Sequence, residues 1–161
     1  EALAACPTDT PITLTLVGSD HGGYTEQMQA LAARLHLEDK VQFLGSRTDV
    51  PQLLQAADLF VHPATCQEGF GITLIEAMAS GVPCLAFPKG AIPEIIGPEI
   101  DGFLTEEVSA AALTAGINRA LELFTKAPHH WHTLCKNARQ KAELFSIERT
   151  AAQLEALYQE Q

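Results

Sequence analysis

Two carboxylates, Glu68 and Glu76, stand eight positions apart in the stretch EGFGITLIE. Between them lie Gly69, Gly71, apolar residues and Thr73. A carboxylate accepts two hydrogen bonds and suits vicinal hydroxyls, as on a ribose or a hexose. Glycines let a backbone come close to a ligand. If a helix opens near Gly71, its free amides favour an anion such as phosphate. Glu68 then lies just ahead of the helix end. Glu76 lies a little over one turn inside it, on the side shared with Ile72 and Thr73. The two acids would bracket a ligand with an anionic middle and polyol ends, which is the shape of a nucleotide sugar. The plainer alternative is that acids at a helix start stabilise its dipole and that Glu76 faces solvent. Spacing alone leans to that alternative.

The elements that must position this pair can be read along the chain. ITLTLVG at 12–18 is β-branched and apolar, and predicts a strand. TEQMQALAARLHL has helical spacing, and VQFLG at 41–45 predicts a second strand. DVPQLLQAAD at 49–58 predicts a short helix with Asp49 as its cap and Pro51 in its first turn. LFVHPA at 59–64 is a third strand, and GITLIEAMASG a helix stopped by Gly81 with Pro83 beyond. PCLAF at 83–87, a brief helix at IPEIIG and GFLT at 102–105 complete the alternation. From about Ser109 the pattern is all helical to Gln161, broken near Pro128 and Phe145. Strands alternating with helices predict an α/β fold: a Rossmann-like, three-layer α/β/α domain with a parallel sheet covered on both faces. In such sheets ligands sit at the carboxyl ends of the strands, which is where Glu68 falls.

The chain has 161 residues, enough for one domain with a real core. The expected organisation is a single donor-site domain over 1–161, with 109–161 its all-helical part. The first residue is Glu, and EALAAC reads as the tail of a helix with no start signal, so a piece of a longer protein is expected. Twenty acids against ten Lys and Arg give a formal charge of −10, which argues against a nucleic-acid surface. No apolar run reaches the length of a membrane span and no signal peptide opens the chain. Cys6, Cys66, Cys84 and Cys135 form no CxxC pair, so reduced cytosolic thiols are favoured over disulfides.

The run EGFGITLIEAMASGVPCLAF resembles the signature of retaining GT-B glycosyltransferases of the family 4 (group 1) type. Their E-x7-E motif matches at Glu68 and Glu76. LVGSD, ALAARLHLEDKVQFLGSRTDVPQLLQAADLFVHPA, GAIPEII and FSIERTAAQLEALY resemble the same family in the same order, covering nearly the whole chain. HPA followed by QEGFG is similar to bacterial lipopolysaccharide core glucosyltransferases. The resemblance implies the second, nucleotide-sugar-binding half of a two-domain protein. It implies that Glu76 holds the ribose hydroxyls and that Glu68, the residue taken as catalytic, contacts the donor sugar's hydroxyls. Gly69 and the amides around Phe70, Gly71, Ile72 and Thr73 would meet the sugar or diphosphate. Arg47 and its neighbours would lie near the base, through backbone atoms. The donor would be a UDP- or GDP-sugar, with no cofactor and no metal. The acceptor, a glycan or lipid-linked molecule, would be held by the missing N-terminal domain.

The family also carries an Arg and a Lys that neutralise the leaving diphosphate. They would come before residue 1, so this chain alone is expected to bind nucleotide weakly and to be inactive. Retention implies attack from the leaving-group side, with a donor phosphate oxygen helping to take the acceptor proton. The two glutamates then read as binders rather than as a glycosidase acid/base pair. A cytoplasmic protein is implied, its parent at the inner membrane face, with peripheral membrane association left open. The alternatives are a nucleotide-sugar 2-epimerase of the same architecture and a non-catalytic nucleotide-binding domain.

Other groups read more plainly. GSDHGG is glycine-rich without the G-x-G-x-x-G spacing; it reads as a turn, with a ligand-lining loop as the alternative. His129, His130 and His132 lack the spacing of a helical zinc site and read as a solvated helix start packed by Trp131. His62 at a strand end reads as a core histidine or a site neighbour. Cys66 reads as a passive neighbour of Glu68, and Lys89 as solvated or as charge offered to a ligand. Leu144, Ile147, Ala151, Leu154 and Leu157 form a stripe read as core or domain-contact packing.

Overall fold

A computed structural model describes residues 1–7, 12–20 and 22–159. His21 of the glycine-rich GSDHGG and residues 160–161 of the stretch expected to be helical to Gln161 lie outside the described residues. The chain divides into two compact units, Glu1–Val50 and Pro51–Gln161.

In Glu1–Val50, strands β1 (Leu14–Leu16) and β2 (Val41–Phe43) pair in parallel, with Leu14 opposite Val41 and Leu16 opposite Phe43. Helix α1 (Tyr24–Arg34) connects them. It ends where His36 takes a left-handed φ of 55°. The His36 amide then donates to Ala33 and that of Leu37 to Ala32, at 3.1 and 2.9 Å, so the last carbonyls are satisfied by a Schellman turn.

Helix α2 (Val50–Gln55) spans the boundary. Its expected cap, Asp49, accepts Arg47 Nε at 2.8 Å on Oδ1 and Arg47 Nη2 at 2.6 Å on Oδ2.

In Pro51–Gln161, β3 (Phe60–His62), β4 (Cys84–Ala86) and β5 (Gly102–Leu104) form a parallel sheet in the order β3-β4-β5. Helix α3 (Ile72–Ala79) links β3 to β4, and α4 (Ile92–Ile95) precedes β5. Helices α5 (Ala110–Lys126), α6 (Pro128–Ala142) and α7 (Ile147–Gln159) follow, with a 3-10 turn at Glu143–Phe145.

Strand alternation on fully buried β4 builds two cores. Cys84 and Ala86 face one with Leu74, Ala77, Met78, Ile92 and Ile95. Leu85 faces the other with Phe103, Leu123, Trp131 and Leu134. Both faces of β4 are therefore dry, which is why PCLAF reads as a continuous apolar run. Each fully buried Leu or Met contributes about 1.5–3 kcal/mol. Trp131 packs edge-on against Phe124 at 5.4 Å and stacks on Phe103 at 6.4 Å.

The α/β class and the parallel pairing match the expectation. Each unit holds its own parallel ladder, β1-β2 in Glu1–Val50 and β3-β4-β5 in Pro51–Gln161. Neighbour order depends on contacts distant in sequence, which local periodicity does not carry.

Candidate functional site

The residues singled out by spacing gather around the start of α3. Gly71 is its N-terminal cap, buried, with φ 74°. That conformation turns the chain from the loop into the helix and favours glycine. From there Leu74, Ala77 and Met78 turn inward, while Ile72, Thr73 and Glu76 remain exposed. Glu76 thus sits on the outer face of a helix whose other residues, Thr73 apart, are apolar. Among the described residues nothing bonds its carboxylate.

Glu68 is held much more closely. Its Oε1 accepts the Gly71 amide at 3.0 Å and the Phe70 amide at 3.3 Å. These two bonds, Gly71 first, hold the carboxyl below the usual range. Its Oε2 lies 3.4 Å from His62 Nε2. Its carbonyl accepts the Ala91 amide at 3.0 Å. Gly90 crosses its backbone so closely that a Cβ there would lie 2.1 Å from the Glu68 carbonyl oxygen. The loop after β3 is therefore tied to the loop after β4 through this one residue.

Glu68 is thus the cap of α3 as well as a candidate ligand group. It occupies two of the amides expected to meet a diphosphate. The amides of Ile72 and Thr73 have no partner among the described residues, so the helix start still offers two donors. Gly69 is exposed in the loop. Phe70 is half exposed, with its ring edge-on to Phe145 at 6.1 Å.

Arg47 stands in the unit Glu1–Val50, its guanidinium bound to Asp49 in a bidentate pair.

The other candidates fall as follows. Trp131 is buried at the start of α6, and His129, His130 and His132 are exposed. Among the described residues no group of three or more His, Cys, Asp and Glu could hold a metal ion. Cys66 is exposed, Cys135 half-buried, and Cys6 and Cys84 buried; all four are free thiols. Lys89 is half-buried. No helix among the described residues is long and apolar enough to cross a membrane.

The capping role of Glu68 and its contacts to His62, Gly90 and Ala91 were not read from the sequence. An acid three positions ahead of the cap glycine was the one local signal; the rest depends on two loops meeting.

Known proteins share this arrangement of chain. N-acetyl-alpha-D-glucosaminyl L-malate synthase of Bacillus anthracis is 35% identical over 159 residues, covering 98% of this chain and 40% of that protein. Lipopolysaccharide glucosyltransferase WaaG of Escherichia coli (strain K12) is 31% identical over 96% of this chain and 41% of its own length. The crystal structure of Anabaena HepE in complex with UDP matches with a TM-score of 0.88 at 33% identity, over 99% of this chain and 43% of that one. The chain therefore spans about two fifths of the length of these proteins. Residues 1–141 match the family of glycosyl transferases group 1, and the chain belongs to that family.

Proposed function

We propose that this chain is the donor-binding part of a retaining glycosyltransferase. The whole protein would move a hexosyl group from a UDP- or GDP-sugar to a glycan or lipid-linked acceptor, in the synthesis of cell-envelope polysaccharide or lipopolysaccharide. The observation that carries this reading is one helix end bearing a clamped carboxylate, two unbonded amides and an unpartnered carboxylate one turn further in. The relatives support it: HepE was solved in complex with UDP-glucose, and WaaG is named a lipopolysaccharide glucosyltransferase.

In this reading Glu76 binds the ribose hydroxyls, accepting from both with its two oxygens. The Ile72 and Thr73 amides bind the diphosphate, aided by the positive end of α3. Glu68, with Gly69, Phe70 and Gly71, contacts the sugar. It does so through Oε2, because Oε1 is taken by backbone amides. The negative charge of Glu68 sits close to the amides that bind phosphate, so further cations from the rest of the protein are needed to stabilise the departing diphosphate. This chain alone should therefore be inactive. The reading calls for no metal. It places the whole protein in the cytoplasm, at the inner membrane face. Transfer is favoured over 2-epimerisation because the relatives' names are those of a glucosyltransferase and an N-acetyl-alpha-D-glucosaminyl L-malate synthase.

Calorimetric titration with UDP, GDP, ADP, UDP-glucose and GDP-mannose tests this. The expected result is affinity for one nucleotide, unchanged by EDTA and lost in Glu76→Ala. The same titrations on the longer protein that carries this chain decide a silent result: binding by neither overturns the donor-site reading.

A further inference from the structure

Glu68 has one carboxylate oxygen committed to backbone amides and one, Oε2, turned elsewhere. Among the described residues the only group near Oε2 is His62 Nε2, at 3.4 Å. That nitrogen is itself buried and makes no hydrogen bond in the structure. A buried ring nitrogen without a partner is costly, and such groups are nearly always satisfied. The imidazole is held in place: His62 ends β3 in register with Ala86 of β4, and its ring stacks on Phe60 at 6.3 Å and 28°. The carboxylate is held too, by the Phe70 and Gly71 amides on one side and by Ala91 and Gly90 at its backbone. Two groups fixed this way, each lacking a bond and facing the other, need only a shift of a few tenths of an ångström to reach hydrogen-bond distance. Contacts of this kind are often long before ligand binds.

We infer that His62 is a positioning residue: as the Nε2–H tautomer it donates to Glu68 Oε2, so that the remaining lone pair of that oxygen points at a hydroxyl of the donor sugar. The opposite tautomer would set a nitrogen lone pair against a carboxylate, which is repulsive. The hydroxyl is the part of this inference that rests on the proposed donor site; the His62–Glu68 bond does not. Since the bond acts on the sugar contact alone, His62 should matter for the sugar and not for the nucleotide.

Two measurements test it. The first is 15N NMR of the His62 ring near pH 8, in the wild-type protein and in Glu68→Gln. The expected result is the Nε2–H tautomer, with ring shifts that change in the variant. A ring protonated on Nδ1, or shifts blind to Glu68→Gln, would overturn the inference. The second is titration of UDP and UDP-glucose into wild type, His62→Phe and His62→Gln. Phe keeps the ring stack and loses the donor; Gln restores a donor. The gain in affinity that glucose adds to UDP should fall roughly tenfold in His62→Phe and recover at least in part in His62→Gln, with UDP binding unmoved. Equal losses for UDP and UDP-glucose with no rescue by Gln would mark His62 as merely structural. If wild type binds neither compound, or glucose adds nothing to UDP in any of the three proteins, the sugar contact falls, while the tautomer experiment decides the His62–Glu68 bond independently.

Discussion

The two glutamates that share a motif do different physical work. Glu76 is exposed and unpartnered, on the outer face of α3. Its replacement by Ala also improves helix propensity. Glu76→Ala should therefore leave stability within about 0.5 kcal/mol of wild type by chemical denaturation, while nucleotide affinity falls more than about tenfold. A variant that loses binding only because it unfolds would contradict this. Glu68 is part of the fold. Its pKa is depressed by the Gly71 and Phe70 amides, so it contributes stability above the unfolded value, about 4.3. That contribution is lost as pH falls through the lower folded value. Glu68→Gln should be less stable than wild type above about pH 6, and the two melting curves should converge towards pH 3. Parallel curves would remove the capping role. Asp101 is buried and its pKa is pushed up by desolvation, the opposite sign. The difference between wild type and Glu68→Gln, rather than either curve alone, isolates Glu68. The sequence made both acids conspicuous because they interrupt an apolar run. It could not show that Glu68 caps α3, since that depends on a side chain turning back onto its own loop. Nor could it show His62 and Gly90 converging on Glu68, since β3 and β4 must first pair.

Helix ends were legible where glycine marks them and obscure elsewhere. Gly81, φ 80°, ends α3 with its amide donating to Met78 and that of Val82 to Ala77, and the glycine followed by Pro83 announced it. The same turn ends α1 with His36 in the left-handed position, where a β-carbon makes the conformation costly. His36 is exposed, so its side chain offers little in return. His36→Gly should raise the unfolding free energy by about 0.5–1 kcal/mol, because relief of the left-handed strain exceeds the extra entropy of an unfolded glycine. An unchanged or lower midpoint in denaturant would show that the imidazole holds the turn. Inside α5 the balance runs the other way. Gly116 costs the helix about 1 kcal/mol relative to Ala, yet a Cβ there would lie 2.6 Å from Cδ1 and 3.4 Å from Cγ of fully buried Leu85. Overpacking of a tight core costs about 1–3 kcal/mol. Gly116→Ala should be destabilising by about 1 kcal/mol, and adding Leu85→Val should recover part of the loss by vacating that space. A helix glycine reads as a flaw in sequence; only the packing of α5 on β4 gives its reason.

At the scale of the molecule, the strand-and-helix alternation foretold a parallel α/β fold, because dry strands such as Cys84–Ala86 have no polar face to alternate. Which strands pair within the ladders β1-β2 and β3-β4-β5 it did not foretell, because strand adjacency is a property of the assembled chain. Those ladders differ in what protects them. The three-stranded sheet has β4 at its centre, with all three residues buried and a core on each face. The two-stranded sheet of Glu1–Val50 leaves two of three β1 residues exposed, and among the described residues of its unit the buried apolar ones are Ala2, Cys6, Ala32 and Leu37. A two-stranded sheet is marginal in water without such support. Opening free energies should follow this contrast, since local opening is cheapest where few apolar contacts are lost. Native-state hydrogen exchange should therefore find the β4 amides exchanging only by global unfolding, with protection that tracks denaturant stability. The β1 and β2 amides should exchange at least about tenfold faster, through an opening that exposes little surface and so responds weakly to denaturant. Truncating a β4-side core residue tests the assignment: Leu134→Ala should cost about 2–5 kcal/mol and lower β4 protection by the same amount while moving β1 and β2 little. If all five strands instead lose protection together and with one denaturant slope, Glu1–Val50 and Pro51–Gln161 open as a single cooperative unit, and the difference in their burial does not govern their dynamics.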